Sequence, residues 1–262
     1  MTIIVCIKQV PGTTAVDIDE TTGVLKRAGV AAKLNPYDLY ALETALRLRS
    51  EHGGRVVALT MGPPQAEAVI REAYAMGVDD GYLLTDPAFA GSDVLATSYT
   101  LAGAVRHIGE YHLILCGRQT TDGDTAQVGS AMAEHLDIPH AAWVNSIQSV
   151  DKTSITVTQN MEHTLETVRL PFPCLITVEK DIYTPRLPSY VNLKKTADRP
   201  VTRLTHEDLL DKDEKNYGLN GSPTQVERVF PPEYETERVL WETNGDEAAR
   251  RLFELLQSEK YV

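Results

Sequence analysis

The sequence predicts an α/β protein with a doubly wound, mostly parallel sheet, antiparallel strands at the sheet edge and an extended C-terminal arm. Strand and helix patterns alternate through the first half of the 262 residues, which is typical of βαβ units. The strands of that half are short, continuous apolar runs, as expected for parallel strands covered on both faces. After about Pro139 the runs alternate between apolar and polar residues, with polar turns between them, which indicates antiparallel strands.

Four strands and four helices are predicted in the first half. The strands are Thr2–Lys8, Arg55–Thr60, Gly81–Thr85 and His112–Cys116. The first helix begins after N-cap Asn35, with Pro36 at its first position, and ends before Gly53. The second helix runs from Gln65 to Met76, the third from N-cap Ser92 to Ile108, and the fourth from Asp124 to Leu136. A hairpin over residues 16–29, turning at Thr22-Gly23, interrupts the first crossover.

Beyond Pro139 the sequence predicts an antiparallel addition to the sheet and then an arm. The added strands, all predicted at the sheet edge, are Trp143–Val150, Ser154–Gln159, Leu165–Leu170 and Cys174–Val178. A proline-punctuated stretch follows Glu179, so we place the α/β domain at residues 1–204 and the arm at residues 205–262. The arm carries 14 acidic and 7 basic residues, ends in a predicted helix Asp246–Ser258, and is expected to pack on a partner.

Composition and charge exclude several classes of protein. With 25 Lys+Arg against 37 Asp+Glu the formal net charge is −12, so neither nucleic acid nor an anionic membrane surface is an expected partner. The longest apolar runs are strand-sized, far below the ~20 residues of a membrane span. The N-terminus lacks a basic region and a cleavage site and therefore predicts a strand, not a signal peptide. Three widely spaced cysteines suit buried thiols in a reducing compartment, so we expect a cytoplasmic protein.

The carboxyl ends of the predicted parallel strands mark the expected ligand site. Four segments meet there, namely Ile7–Gln9, Leu34–Tyr37, Thr60–Gly62 and Gly117–Gly129. The last, G-R-Q-T-T-D-G-D-T-A-Q-V-G, ends a buried strand and opens a helix whose free backbone amides favour phosphate. A capped helix after a polar loop explains the same pattern equally well. Neither GxGxxG nor GxxxxGK[ST] occurs in the sequence, so no phosphate-binding fingerprint decides between the two interpretations.

No side chain is predicted to be catalytic, and none is predicted to bind a metal. The seven histidines show no ligand spacing, no cysteine pairs with them, and no G-x-S-x-G element is present. Asp122 and Asp124 lie two residues apart in a turn, where carboxylates cap the backbone or orient ribose hydroxyls more often than they act as acid and base. Any chemistry is therefore expected to belong to a bound cofactor.

A set of motifs in this sequence resembles the β subunit of electron transfer flavoproteins. The motifs are I-V-C-I-K-Q-V-P (4–11), K-L-N-P-Y-D (33–38), A-L-T-M-G-P-P-Q (58–65), R-E-A-Y-A-M-G-V-D (71–79) and C-G-R-Q-T-T-D-G-D-T-A-Q-V-G (116–129). Two later runs, 165–178 and 185–195, resemble that family's hallmark strand pair and its partner-recognition loop. The resemblance runs in order from the first strand to about Lys195.

The resemblance implies an adenine-nucleotide-binding α/β fold in a heterodimer with an α subunit. The β subunit holds AMP in ordinary members of the family and a second FAD in electron-bifurcating members. By position, the nucleotide contacts fall on Cys6, Lys8, Asn35, Pro36, Tyr37, Asp38, Met61, Gly117, Arg118, Gln119, Thr120, Thr121, Asp122, Gly123, Asp124, Thr125, Ala126, Gln127 and Val128. Leu187 and Tyr190 fall in the loop that docks partner dehydrogenases, with Tyr190 at the position of its hydrophobic anchor.

The loop D-G-D-T-A-Q-V-G (122–129) resembles the bifurcating branch more than the D-D-D-x-N-Q-T-G pattern of AMP-binding members. Gly123 in place of an acid lowers charge and bulk near the expected phosphates, and the tail G-L-N-G-S-P-T-Q-V (218–226) also resembles that branch. Two positions depart from the family hallmark, since Gln159 stands where a basic residue is usual and Asn160 where an acid is frequent. An inter-subunit ion pair is therefore expected to be missing.

Three functions remain open from the sequence. In the first, the chain holds FAD that accepts a hydride from NADH, and electrons pass to ferredoxin and, through the α-subunit FAD, to a flavin-dependent dehydrogenase of the acyl-CoA or hydroxyacid type. In the second, the chain holds structural AMP and docks acyl-CoA dehydrogenases. The third is a monomeric adenine-nucleotide sensor of the universal-stress type, in which the recognition loop and the tail would have no role.

Overall fold

A computed structural model describes residues 1–12, 32–227 and 239–262, so the predicted hairpin over 16–29 lies outside the described residues. The strands are β1 (Thr2–Cys6), β2 (Gln9–Pro11), β3 (Ala32–Leu34), β4 (Arg55–Met61), β5 (Asp80–Leu84), β6 (Leu113–Gly117), β7 (His140–Val150), β8 (Ser154–Met161), β9 (Thr164–Pro171), β10 (Cys174–Val178) and β11 (Thr202–Leu204). β2 and β3 pair antiparallel with each other, outside the main sheet.

In the described part of the chain the main sheet has nine strands in the order β11-β5-β4-β1-β6-β10-β7-β8-β9. Every neighbouring pair from β11 to β7 is parallel, while β8 is antiparallel to both β7 and β9. The predicted doubly wound, mostly parallel sheet with antiparallel edge strands is therefore confirmed. β11, a three-residue strand after the proline-punctuated stretch, was not predicted.

The predicted edge position of Cys174–Val178 is wrong. β10 is parallel to both β6 and β7 and lies between them in the interior of the sheet. All five of its residues are buried, because helices cover both faces of the sheet at this point. The continuous apolar run C-L-I-T-V is typical of such a doubly covered strand. After β6 the chain therefore passes over one strand position, adds β7, β8 and β9 to the same sheet, and then returns so that β10 fills the place between β6 and β7.

The α-helices of the described residues are α1 (Pro36–His52), α2 (Glu67–Met76), α3 (Val94–Ile108), α4 (Val128–Leu136), α5 (Tyr190–Lys195) and α6 (Gly245–Ser258). The predicted N-cap of α3 is wrong by one residue, since the Asp93 carboxylate, not Ser92, accepts a hydrogen bond from the Ala96 amide at 3.1 Å. α5 was not predicted, because its flanking prolines indicated an irregular loop. The Ser189 side chain caps this short helix.

Two layers of helices enclose the sheet and produce two core clusters. Along β1, Ile3 and Val5 pack with α1 and α2, whereas Ile4 packs with α3 and α4 on the opposite face. This alternation follows from the two-residue period of a strand. Because both faces are covered, β1, β4, β6 and β10 have buried residues at or directly before their carboxyl ends, and these ends position the candidate site.

The chain divides into two compact units, Met1–Glu227 and Arg228–Val262. Residues 205–227, which are predicted to be part of the arm, belong to the first unit. Leu209 and Tyr217 are buried there in the same core cluster as α3 and α4. The boundary between the units in the structure therefore lies after Glu227, because apolar side chains anchor the preceding residues to the sheet.

In the second unit the described residues include α6, whose predicted position agrees closely with the structure. Its apolar side chains Leu252, Phe253 and Leu255 are about half exposed, while Asp246 and Glu247 lie in its first turn. Negative charges at that end favour the helix through its dipole. Across the described ranges, no helix has the length and apolar character needed to cross a membrane.

Candidate functional site

One wall of the candidate site forms where β1 and α1 meet. The Asn35 amide donates to the Lys8 carbonyl at 2.9 Å, and the Lys8 amide donates to the Asp38 carboxylate at 2.7 Å. The Asn35 side chain is fully buried. Its Nδ2 donates to the Gln119 carbonyl at 2.9 Å, and its Oδ1 accepts from the Thr121 amide at 3.3 Å. Asn35 therefore connects the start of α1 to the loop after β6.

Gly117, the last residue of β6, allows this wall to form. A Cβ atom at Gly117 would lie 2.5 Å from Asp38 Oδ1 and 2.7 Å from the Tyr37 carbonyl carbon. Since Cβ atoms do not approach other heavy atoms so closely, only glycine lets the loop start directly against the first turn of α1. The contact brings together three of the residues predicted for the site.

Asp38 is a buried carboxyl group within this wall. Burial raises the pKa of Asp38 from 3.8 to about 7, although hydrogen bonds from Asn35 and from the Lys8 amide, and the charge of Lys8, act in the opposite direction. The group is therefore close to half protonated near neutral pH. The wall consequently carries less negative charge than its sequence suggests.

The loop 118–127 has a conformation that the sequence does not predict. Asp124 and Ala126 have φ angles of 52° and 55°, which no α-helix accommodates, so the predicted helix start at Asp124 is wrong and α4 begins at Val128. Left-handed backbone costs alanine roughly 1 kcal/mol or more, whereas aspartate tolerates it better. Backbone strain of this kind concentrates at functional sites.

The same loop leaves backbone amides without acceptors. The Asp124 amide donates to the Thr120 carbonyl at 3.0 Å, but the amides of Thr125, Ala126 and Gln127 find no acceptor among the described residues. The first amides of α4 also have no intrahelical partner. A left-handed residue followed by a right-handed one directs successive amides to one concave side, which binds anions. The loop is therefore suited to hold phosphate.

An ion pair links the two sides of the site. Lys8 Nζ lies 2.9 and 2.8 Å from the two carboxylate oxygens of Asp122. Burial opposes ionisation of Asp122, but the hydrogen bond and the charge of Lys8 prevail and lower the pKa of Asp122 below its ordinary value. Both side chains are partly exposed, so the pair lies at the rim of the site.

Two residues outside the predicted set, Trp143 and Glu179, complete the site beside β10. Arg118 Nη1 lies 2.9 and 3.1 Å from the carboxylate oxygens of Glu179, and the guanidinium carbon lies 4.7 Å from the centroid of the Trp143 ring. Trp143 has a φ of 56°, which is rare for a bulky residue, and its amide donates to the Thr177 hydroxyl at 2.9 Å. A sequence signal for Glu179 existed, because it directly follows a buried strand.

The remaining predicted contacts lie at the same edge, but not all of them present their side chains to it. Met61 ends β4 beside β1, and Pro36 occupies the first position of α1, where no amide needs a partner. The Cys6 thiol points into the core, 4.0 Å from the sulfur of Met132, so only its backbone borders the edge. The Gln119 side-chain amide donates to the Asp124 carboxylate within the loop.

The predicted docking residues, Leu187 and Tyr190, lie on a separate exposed segment. Their side chains are 87% and 68% exposed. Arg186 anchors the segment, since its Nε lies 2.7 Å from a carboxylate oxygen of the buried Glu43. Burial opposes ionisation of Glu43, yet the Arg186 hydrogen bonds lower its pKa, so the pair is charged. Exposed apolar side chains on a fixed base are typical of docking surfaces.

The fold and this edge define a class, a doubly wound α/β protein with a loop suited to anions at the carboxyl ends of its strands. Comparison with known proteins narrows the class. The family described as electron transfer flavoprotein domain matches residues 22–209. The chain is 44% identical, over the whole of both chains, to the caffeyl-CoA reductase-Etf complex subunit CarD of Acetobacterium woodii.

Two further relatives have similar identity. The chain is 40% identical to the electron transfer flavoprotein subunit beta of Thermoanaerobacterium thermosaccharolyticum, again over the whole of both chains. It is 40% identical to the protein FixA of Bradyrhizobium diazoefficiens over 97% of this chain and 90% of that one. The chain therefore belongs to the electron transfer flavoprotein beta-subunit family, which confirms the resemblance of its motifs and assigns it to electron transport.

Proposed function

We propose that the chain binds FAD at the carboxyl edge of its sheet and, with an α subunit, takes a hydride from NADH. One electron then passes to ferredoxin and the other, through the α-subunit FAD, to a flavin-dependent dehydrogenase. The observation that carries the proposal is the loop 118–127, whose unpaired amides follow a buried strand in a chain of the electron transfer flavoprotein family. When bound, FAD supplies hydride acceptance and one-electron transfer.

The residues of the loop fit the diphosphate of such a cofactor. The amides of Thr125, Ala126 and Gln127 are followed directly by those of the first turn of α4, so the donors extend over more than one phosphate group. A Cβ atom at Gly123 would meet only Thr120 Oγ1, at 3.7 Å, so the loop is uncrowded there. An open loop with many donors suits two linked phosphates better than one, and we therefore favour FAD over AMP.

The side chains of this site bind and orient, and none of them takes up electrons. Asn35 fixes the start of the loop to α1, and Asp38 fixes the Lys8 backbone. Arg118 is held by Glu179, so the loop begins from a fixed guanidinium and a fixed backbone. The contribution of the chain is thus position and electrostatic environment, while the redox chemistry belongs to the cofactor.

Two exposed apolar surfaces support the proposed partners. Leu187 and Tyr190 project from the segment anchored by Arg186, which suits docking of a flavin-dependent dehydrogenase. The relative from Acetobacterium woodii is named for a complex with a caffeyl-CoA reductase, which agrees with an acyl-CoA type of dehydrogenase. Leu252 and Phe253 on α6 need an apolar cover, and we propose that the arm packs this face on the α subunit.

Cofactor stoichiometry is the experiment that tests the proposal. The chain is co-expressed with an α subunit, the complex is denatured, and the released nucleotides are identified by chromatography and mass. Two FAD per heterodimer are expected, together with NADH oxidation when ferredoxin and a dehydrogenase are both present. One FAD and one AMP would establish the alternative, an ordinary electron carrier in which this subunit holds a structural nucleotide. Absence of NADH oxidation with both acceptors present would overturn the bifurcating role.

A pair of matched variants locates the cofactor phosphates. Gly123→Asp adds a carboxylate to the loop, and Gly245→Asp adds the same charge at the start of α6, where a Cβ atom meets nothing within 4 Å. We expect Gly123→Asp to lower cofactor occupancy without unfolding the sheet, and Gly245→Asp to leave occupancy unchanged. Equal occupancy in both variants would contradict the placement of phosphate at the loop.

A further inference from the structure

The Lys8–Asp122 ion pair joins the fixed wall of the site to the loop. Lys8 is held at both ends of its backbone, since its amide donates to Asp38 at 2.7 Å and its carbonyl accepts from Asn35 at 2.9 Å. Its ammonium group is therefore carried by a fixed backbone. Asp122 lies on the exposed part of the loop, two residues before the left-handed Asp124.

The two cations that contact the loop, Lys8 and Arg118, each have a carboxylate partner. Lys8 pairs with Asp122 at 2.8 Å, and Arg118 pairs with Glu179 at 2.9 Å. Asp124 adds a further carboxylate, bonded to a neutral glutamine side chain. Apart from these two cations, the donors that the loop offers a ligand are backbone amides and the exposed side chains of Thr121, Thr125 and Gln127, none of which carries a net charge. The site therefore combines neutral donors with a surplus of nearby negative charge.

We propose that Asp122 is a specificity-determining residue that neutralises Lys8 and thereby excludes adenine nucleotides with free di- or triphosphate groups. The inference rests on the proposed nucleotide-binding function and names a property of the same site. AMP carries about two negative charges at neutral pH and ATP about four, so a site with surplus negative charge penalises ATP more strongly. An unpaired Lys8 would remove that penalty.

The proposal requires that breaking the pair from its two sides has opposite effects. Asp122→Asn leaves Lys8 free beside the phosphates, so binding of AMP should tighten roughly threefold and binding of ATP roughly tenfold at low salt. Lys8→Met leaves the negative charge of Asp122 unpaired, so the binding of both nucleotides should weaken, and that of ATP more than that of AMP. Added salt should reduce the affinity of Asp122→Asn more steeply than that of the unaltered chain.

Arg55 and Asp80 provide the matched control. Their side chains lie 3.5 Å apart, each is about half exposed, and they begin β4 and β5 at the opposite, amino-terminal end of the sheet. Arg55→Met and Asp80→Asn change the net charge by the same amounts as the test variants. Both are expected to leave the affinity for AMP and ATP within about twofold of the unaltered chain.

Titration calorimetry of the full-length chain, freed of nucleotide by dialysis, with AMP and with ATP tests the proposal. Opposite shifts for Lys8→Met and Asp122→Asn, absent from the Arg55 and Asp80 variants, would support it. Equal weakening by both test variants would mean that the pair only stabilises the loop, and the proposal would be overturned. Failure of the unaltered chain to bind AMP, ATP and, in a parallel titration, FAD would instead overturn the proposed function and this inference together.

Discussion

The starts of α1 and α4 lie at the same edge of the sheet and are built in opposite ways. Neither N-cap residue, Asn35 or Gln127, caps its own helix by a side-chain hydrogen bond to a backbone amide. At α1 packing replaces the cap, because Pro36 has no amide and Asp38 is buried against Gly117. At α4 no other described group replaces the cap, and the residues before it are exposed and partly left-handed.

This difference separates a helix start whose backbone groups the chain itself pairs from a helix start whose backbone amides remain for a ligand to pair. The α1 start is satisfied by the chain itself, so it fixes the geometry of the edge. The α4 start keeps donors without acceptors, and such groups are normally paired with something. Changes on the α1 side should therefore alter the free energy of unfolding, whereas changes on the α4 side should alter ligand affinity and leave stability nearly unchanged.

The pH dependence of Asp38 is expected to be the largest effect on the α1 side. Its pKa is about 7 in the folded chain against an ordinary 3.8, so the folded state binds the proton more tightly. The stability from this group is fully present below about pH 4 and is lost as pH rises through about 7. By linkage the total change is roughly 4 kcal/mol.

Asp38→Asn keeps an acceptor for the Lys8 amide but does not ionise, so it should lack this component of the pH profile. Urea unfolding of the unaltered chain and of Asp38→Asn from about pH 5 to about pH 8 measures the Asp38 contribution. That contribution is the pH-dependent difference between their two free energies of unfolding. Parallel profiles would show that the wall does not depend on the Asp38 proton.

Gly117→Ala should destabilise the chain by about 3 kcal/mol, because its Cβ atom would overlap the backbone of Tyr37 as well as Asp38. Gly123→Ala is the matched control on the α4 side, where the nearest atom is 3.7 Å away, and it should change stability by no more than about 0.5 kcal/mol. Denaturant midpoints at equal slope measure both. Similar losses of stability in the two variants would contradict the difference between the two helix starts.

Asn35→Ala should cost about 2 kcal/mol, because it leaves the Gln119 carbonyl and the Thr121 amide without their buried partner. Since the same side chain anchors the loop, nucleotide affinity should also fall. Asn160→Ala, at an exposed position of β8, removes the same group without a buried partner and should be nearly neutral. Thermal unfolding and calorimetry distinguish the two variants, and an unchanged Asn35→Ala protein would contradict the anchoring role.

The smallest expected change in stability concerns a third helix start, that of α3, which has a side-chain cap. At α3 the Asp93 carboxylate accepts from the Ala96 amide and from the Thr224 hydroxyl, at 3.1 and 2.8 Å, so Asp93→Ala should cost about 1 kcal/mol. Gln127→Ala removes no cap from α4 and should stay within about 0.5 kcal/mol. A loss at Gln127 as large as that at Asp93 would mean that α4 has a cap after all.

The sequence predicts the parallel half of the fold well, because β1, β4, β5 and β6 are continuous apolar runs whose pattern depends on local burial. It fails where position depends on distant pairing. Cys174–Val178 has the same continuous apolar pattern, but its place between β6 and β7 is set by strands that precede it by tens of residues. The three-residue β11 is too short to produce a pattern at all.

The candidate site divides in the same way. Asn35, Pro36 and the loop after β6 follow from their places at strand and helix ends. The start of α4 could not be predicted, because nothing in the sequence forces a left-handed Ala126 and only the observed backbone reveals it. Trp143 is predicted, correctly, as a strand residue, but its role at the site could not be predicted. Its contact with Arg118 depends on β10 lying inside the sheet.

The interior place of β10 also determines when the site is completed during synthesis of the chain. Until residue 178 has left the ribosome, β6 and β7 each present an unpaired backbone edge, and a nascent chain at that stage is most exposed to wrong pairing. The loop 118–127 is synthesised much earlier. The Arg118 amide nevertheless cannot form its 3.0 Å hydrogen bond to the Val178 carbonyl until Val178 has been synthesised. The ion pair between the Arg118 guanidinium and Glu179 likewise forms only after Glu179 has been synthesised. The loop therefore acquires its fixed neighbours only when translation has passed the last interior strand.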